Sequence, residues 1–257
     1  MLFFIIAAAA SVIGALCGLG GGVIITPLLD TFTDFSVFQI SILSAFSVLT
    51  VSVTSVIKYT TQKTGFNLLR CTFIGIGSVL GGYAGTFFLS TLISSLDASF
   101  VSAVQSGAAA LLLGAAVIYM MFFKQRLSFN IRNNFAVLLA GLLLGFLSSL
   151  LSIGGGPINV ALMVLLFSVS ICEAAVSSLF VIAFSQTTKI ITSAVTTGFG
   201  GIDLSPLWIL VPTAFAGALV GAWLNKRLNK TAVTIVYNVT VCLLVLINAY
   251  NALSVFI

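Results

Sequence analysis

The chain has 257 residues, of which 60% are hydrophobic and 6% charged, with ten basic groups, five acidic groups and no histidine; its mean hydropathy is +1.26. A soluble domain carries about 25% charged residues, so this composition excludes a soluble globular protein, a nucleic-acid binder and a disordered chain, and reads as an integral membrane protein. The net charge of +5 then reports orientation in the bilayer.

Apolar runs fall over 2–29, 36–57, 69–95, 99–123, 134–169, 172–195, 205–224 and 232–256. Strands of a membrane barrel are about 10 residues long with alternating polarity. These runs are too long and too uniform for that, so the class is all-α. The first run opens MLFFIIAAAA without a basic flank and reads as a membrane segment, not a cleaved signal. It is interrupted by Gly20, Gly21 and Gly22, and the fifth run by Gly154, Gly155 and Gly156. Each glycine costs a helix about 1 kcal/mol relative to alanine, so both helices are expected to break there.

The second run carries a polar stripe, Ser41, Ser44, Ser47 and Thr54. The sixth carries Ser177, Ser178, Ser185, Gln186, Thr188 and Lys189. Gln186 and Lys189 are three apart and share a helix face. A lysine well inside a span is expensive and by default functional; the other reading is that it snorkels to the interface. The hydroxyls read equally as ligands or as interhelical hydrogen bonders. Glu173 and Gln39 begin their helices, and Glu173 is either a proton-coupling group or an acid at a helix N-terminus. Trp208 and Trp223 bracket the seventh run, about 22 Å apart along a helix, as an interfacial aromatic belt requires. The cysteines, Cys17, Cys71, Cys172 and Cys242, form no CxxC pair and read as small buried hydrophobes. Cys17 alone stands beside a glycine cluster.

The glycine breaks recur 134 residues apart, and the same offset pairs Ile24, Leu28, Ser36, Ser44, Phe46, Thr54 and Ile57 with identical residues in the second half. With a two-residue slip, Gly81 and Gly85 match Gly217 and Gly221, small-residue faces that let helices approach closely. The chain therefore divides into a first repeat, 1–123, a basic linker, 124–133, and a second repeat, 134–257. Basic residues mark the loop 58–70, the linker and the loop 225–231 as cytoplasmic. The connections bearing Asp30 and Asp34, Asp97, or Asp203 belong outside. Matched loops thus carry opposite charge bias, and the expected fold is an all-α membrane protein of two inverted repeats. Inversion needs an odd number of crossings per half. Each repeat is then a glycine-broken re-entrant hairpin plus three transmembrane helices. Eight crossings with unwound first and fifth helices is the alternative.

At a glycine break, the next half-helix presents unpaired N–H groups, an anion site by construction. Two such ends would converge near the bilayer midplane. The candidate site comprises Gly20, Gly21, Gly22, Thr26 and Ser44 from the first half. The second half supplies Gly154, Gly155, Gly156, Asn159, Ser178, Gln186 and Lys189. Pro157 stands at a favourable first-turn position. The glycines also read as packing positions only. With no His, no HExxH, no paired intramembrane carboxylates and no P-loop, enzyme chemistry, a metal site and a cofactor are not expected.

The stretches GLGGGVIITPLL (18–29) and SIGGGPINVALMVLLF (152–167), in halves ending in GGYAG and GALVG, resemble the TauE/SafE family of sulfite and organosulfonate exporters. The resemblance covers essentially the whole chain. The family's glycine run followed by Pro-x-Leu is present as Gly20 to Gly22 with Pro27 and Leu29. In the second half the proline is at 157 and Ala161 holds the matching place. The resemblance implies a secondary transporter, exporting a small sulfur oxyanion or sulfonate such as sulfite, thiosulfate, taurine or sulfoacetate across a cell membrane. An anion channel, a thiol-based sulfur relay through Cys17 and a structural membrane subunit are the alternatives. Direction, coupling ion and assembly into a homo-oligomer stay open.

Overall fold

The structure, a computed structural model, describes residues 2–33, 35–61, 68–95, 98–124, 126–131, 133–151, 155–196 and 198–254. Among these there is no strand. The helices are α1 (Leu2–Cys17), α2 (Gly22–Phe32), α3 (Val37–Thr61), α4 (Leu68–Ser95), α5 (Ala98–Ile118), α6 (Asn134–Leu150), α7 (Gly156–Phe167), α8 (Ile171–Thr196), α9 (Leu207–Arg227) and α10 (Lys230–Ser254). A π-helical turn, Tyr119–Phe123, extends α5. Six helices, α3, α4, α5, α8, α9 and α10, are long and apolar enough to cross a membrane. The arms of the two glycine-broken hairpins, α1–α2 and α6–α7, are shorter.

The 134-residue offset carries into the fold. It takes the first residues of α2 and α3, Gly22 and Val37, to those of α7 and α8, Gly156 and Ile171. The helix pairings reciprocate in the same way. α4 packs along α6 as α9 packs along α1, α3 meets α9 as α8 meets α4, and the pairs α3–α8 and α5–α10 match themselves.

Small residues make the closest of these contacts possible. A Cβ on Gly77, Gly81 or Gly85 would run into the α6 backbone at Leu138, Leu142 and Phe146, and one on Gly141 or Gly145 into α4 at Ile74 and Ser78. Gly217 and Gly221 stand likewise against Ala8, Ser11, Val12 and Ala15 of α1. Without a hydrophobic driving force in lipid, such close backbone approach supplies the attraction. Residue numbers rise together along both contacts, so α1 runs parallel to α9 and α6 parallel to α4.

These directions set where the hairpins open. The side chain of Gln39, at the start of α3, donates to the carbonyl of Asp203 at 2.8 Å, so the α2–α3 turn and the Asp203 loop share one end. Both arms of α1–α2 lead to that end. At the other end the guanidinium of Arg70 lies 5.1 Å from the Phe167 ring at the close of α7. The linker joins it there: the amides of Phe129 and Ile131 donate to Leu165 and Leu166 of α7. The hairpin α6–α7 opens at this basic end, opposite to α1–α2. The 21 residues of α9 rise about 32 Å and bring Lys226, Arg227 and Lys230 to the basic end too. Trp223 lies under Arg227, ring centroid to guanidinium 4.2 Å, and Trp208 is 86% exposed at the opposite end. Lys63, Asp34, Asp97 and Arg132 fall outside the described residues.

Helix starts follow the sequence locally. Ser170 and Glu173 cap α8 reciprocally: the Ser170 amide donates to the Glu173 carboxylate and the Glu173 amide to the Ser170 hydroxyl. This is a capping box, the helix-acid role for Glu173. At the matching start of α3, the Gln39 amide donates to the Ser36 hydroxyl at 3.2 Å.

Candidate functional site

Each half-helix begins after a glycine in the left-handed region, Gly21 at φ 79° and Gly155 at φ 67°. A side chain at either is strained there, so these sequence positions fix where the chain reverses. The break consumes some donors. The amides of Leu19 and Gly20 both turn back to the Gly14 carbonyl, at 2.8 and 3.2 Å. The first amides of α2 and α7 have no intrahelical acceptor.

The two tips meet, as the sequence leads one to expect. A Cβ on Gly156 would collide with the backbone of Leu19, and one on Gly18 with the backbone of Ala175. The Ser178 hydroxyl, fully buried, donates to the Gly18 carbonyl at 2.8 Å and lies 3.5 Å from the Gly156 carbonyl. It thus ties the first tip to the second. Its repeat mate Ser44 lies beside Gly22: a Cβ there would be 3.1 Å from the Ser44 Oγ. Ser44 also accepts a 2.9 Å hydrogen bond from Thr26. Gly20 packs against Val48 of α3 and Ile182 of α8. Of the predicted residues, Gly20, Gly21, Gly22, Thr26, Ser44, Gly155, Gly156, Asn159 and Ser178 are therefore gathered around the tips. Gly154 lies outside the described residues.

Gln186 and Lys189 stand apart. They are 8 and 11 residues beyond Ser178, about 12 and 16 Å along α8. Gln186 is buried and Lys189 half-buried. Both lie on the face that carries Ser178, Ile182 and Ser185, toward the Asp203 end. There the Ser205 backbone amide and hydroxyl both donate to Asp203 and hold its carboxyl below the usual range.

Polar satisfaction at the tips fails at two side chains, the Ser11 hydroxyl beside Gly21 and the Asn159 carboxamide beside Gly155. Asn159 is 1% exposed, and neither its Nδ2 nor its Oδ1 has a hydrogen-bond partner among the described residues. Its Oδ1 would lie 3.2 Å from a Cβ on Gly155, directly beside the second break. A buried amide without partners costs on the order of 1–3 kcal/mol per group.

Three supporting side chains were not foreseen. The Tyr237 hydroxyl donates to the Pro157 carbonyl at 2.6 Å. The amide of Asn225 donates to the Leu16 carbonyl at 2.6 Å, and that of Gln105 to the Leu150 carbonyl at 2.5 Å. Gln105 and Tyr237 are single polar residues in apolar runs, and Asn225, in the basic stretch 225–231 by sequence, is carried by the end of α9, so none gives a periodic signal. Cys17 is fully buried at the end of α1. Among the described residues no group of three or more His, Cys, Asp or Glu could hold a metal.

Six membrane-length helices packed with two broken hairpins define a multi-pass integral membrane protein. Comparison with known proteins gives the family. The description Sulfite exporter TauE/SafE matches residues 3–248, and the chain belongs to that family. It is also 26% identical to the "Probable membrane transporter protein YunE" of Bacillus subtilis (strain 168), over 91% of this chain and 92% of that protein. The chain is a membrane transporter of this family.

Proposed function

We propose that the protein is a secondary transporter that exports a small sulfur-containing anion, such as sulfite, thiosulfate or an organosulfonate, and binds it at the meeting point of the two glycine breaks. The observation that carries this reading is the unpartnered, buried amide of Asn159 beside the left-handed Gly155. It stands next to half-helix N-termini whose free amides and dipoles favour an anion. The family's description as a sulfite exporter supports the substrate class.

The mechanism rests on two halves inverted in the bilayer. The reciprocal helix pairings, the shared offset of helix starts and the hairpins opening at opposite ends support that arrangement. The positive-inside rule puts the basic end in the cytoplasm. Rocking of one half against the other parts the tips toward one side and then the other. Backbone amides of α2 and α7, the Asn159 amide and the Thr26–Ser44 hydroxyl pair offer hydrogen bonds to the oxyanion. Gln186 and Lys189 line its route toward the Asp203 end, where the lysine's charge draws the anion in. The direct backbone contact of the tips favours a carrier over an open pore.

Purified protein screened by thermal shift against sulfite, thiosulfate, taurine and sulfoacetate, followed by counterflow in proteoliposomes, tests the reading. One of these anions stabilises the protein and exchanges by counterflow. Conductance without counterflow makes the protein a channel instead.

A further inference from the structure

A helix that stops inside a bundle leaves its last carbonyls without intrahelical donors. α1 and α6 both stop there, and their repeat-mate residues Leu16 and Leu150 present such carbonyls. In each case a carboxamide from the other half of the chain reaches in. Asn225 of α9 bonds Leu16, and Gln105 of α5 bonds Leu150. Asn225 is 5% exposed and continues the i, i+4 row of Gly217 and Gly221 that seats α9 on α1. The contact thus ends on the carbonyl just ahead of the first break. Gln105 arrives differently. It comes from α5, at the wall of an apolar cavity of about 210 Å³ that Leu89, Leu150 and Leu151 also line. The two amides are not repeat mates: offset by 134, Gln105 falls on Val239, and with the two-residue slip of Gly217 and Gly221, Asn225 falls on Leu89. Two unrelated positions have arrived at one contact.

We propose that Asn225 and Gln105 are positioning residues for the transport site: each half holds the other half's glycine tip by its last helical carbonyl, and so sets the relation of the two breaks. This rests on the tips being that site, but its test does not need a substrate. In full-length protein with Cys172 and Cys242 replaced by Ser, Cys17 reports on the first tip, one residue beyond Leu16, and Cys71, buried in α4, reports on global opening. Asn225→Leu, which keeps the branching at Cγ and removes the donor, is expected to raise the rate of N-ethylmaleimide labelling at Cys17 about tenfold while Cys71 stays protected. Asn225→Gln restores protection in part. Leu151→Cys with Gln105→Leu reads the second tip in the same way. If Asn225→Leu does not fold, Asn225→Ala is read instead. Labelling of Cys17 at the parental rate, or equal exposure of Cys71, overturns the proposal. In proteoliposomes with sulfite as probe, the same variants should raise KM more than they lower the maximal rate. If sulfite is not transported by the unaltered protein while the labelling result holds, the substrate reading fails and the tip contact stands.

Discussion

The two hairpin tips share a backbone and differ in their polar lining. Gly21 and Gly155 take the same left-handed turn, and Gly22 and Gly156 open half-helices at matched positions. One turn further, however, Ile25 is apolar and packed in the core, while its mate Asn159 is a buried amide with no partner. The hydroxyl mates also diverge: Ser44 accepts from Thr26 within its own half, whereas Ser178 donates across to Gly18 of the other. The two tips thus share a backbone turn but offer different side chains beside it, so on the proposed reading an anion between them would meet a carboxamide on one side only.

The comparison predicts a ranking. Gly21→Leu and Gly155→Leu force a side chain into the left-handed region and into neighbouring backbone or Ser148. Both should abolish transport in proteoliposomes, on the order of 100-fold or more, with membrane insertion intact; normal transport by both would make the tips structural only. Asn159→Leu comes next. It removes a donor to a charged ligand, worth roughly 10–100-fold in affinity, so the anion-dependent thermal shift should vanish. The unliganded protein should melt no lower than the parent, since an unsatisfied amide has gone. A fall in its Tm with binding intact would show that the amide serves packing. Thr26→Val should weaken binding about fivefold, the scale of one neutral hydrogen bond. The smallest effect is expected for Lys189→Met, about threefold at low salt and less at high salt, because it stands about 16 Å along α8 from Ser178 and the tips. An effect as large as that of Asn159→Leu would place the lysine on the anion.

Much of this was legible in the residues. Three consecutive glycines break a helix whatever surrounds them, and a repeat of the triplet together with opposite charge bias on matched loops suffices to suggest opposed hairpins. Gly217 and Gly221 announced a close helix contact, though not that α1 would fill it. The partners of a helix face depend on three-dimensional packing that spacing does not encode. The same limit hid Asn225, Gln105 and Tyr237, whose role is defined by a carbonyl far away in the chain. Ser178 reads as a ligand candidate from its helix face; that its hydroxyl spans both tips depends on where Gly18 comes to rest.

The parallel contact of α1 with α9 bears on how the protein is made. α1 acquires its most extensive partner, α9, only after some two hundred further residues have been synthesised. Until then the Leu16 carbonyl at its broken end lacks the Asn225 donor. Contacts so distant in sequence are slow to form, and a polar helix end cannot rest in lipid meanwhile. The first hairpin is thus among the last parts of the bundle to be completed, so truncation after α8 should leave α1 and α2 accessible to protease while the helices between them and the cut are already inserted.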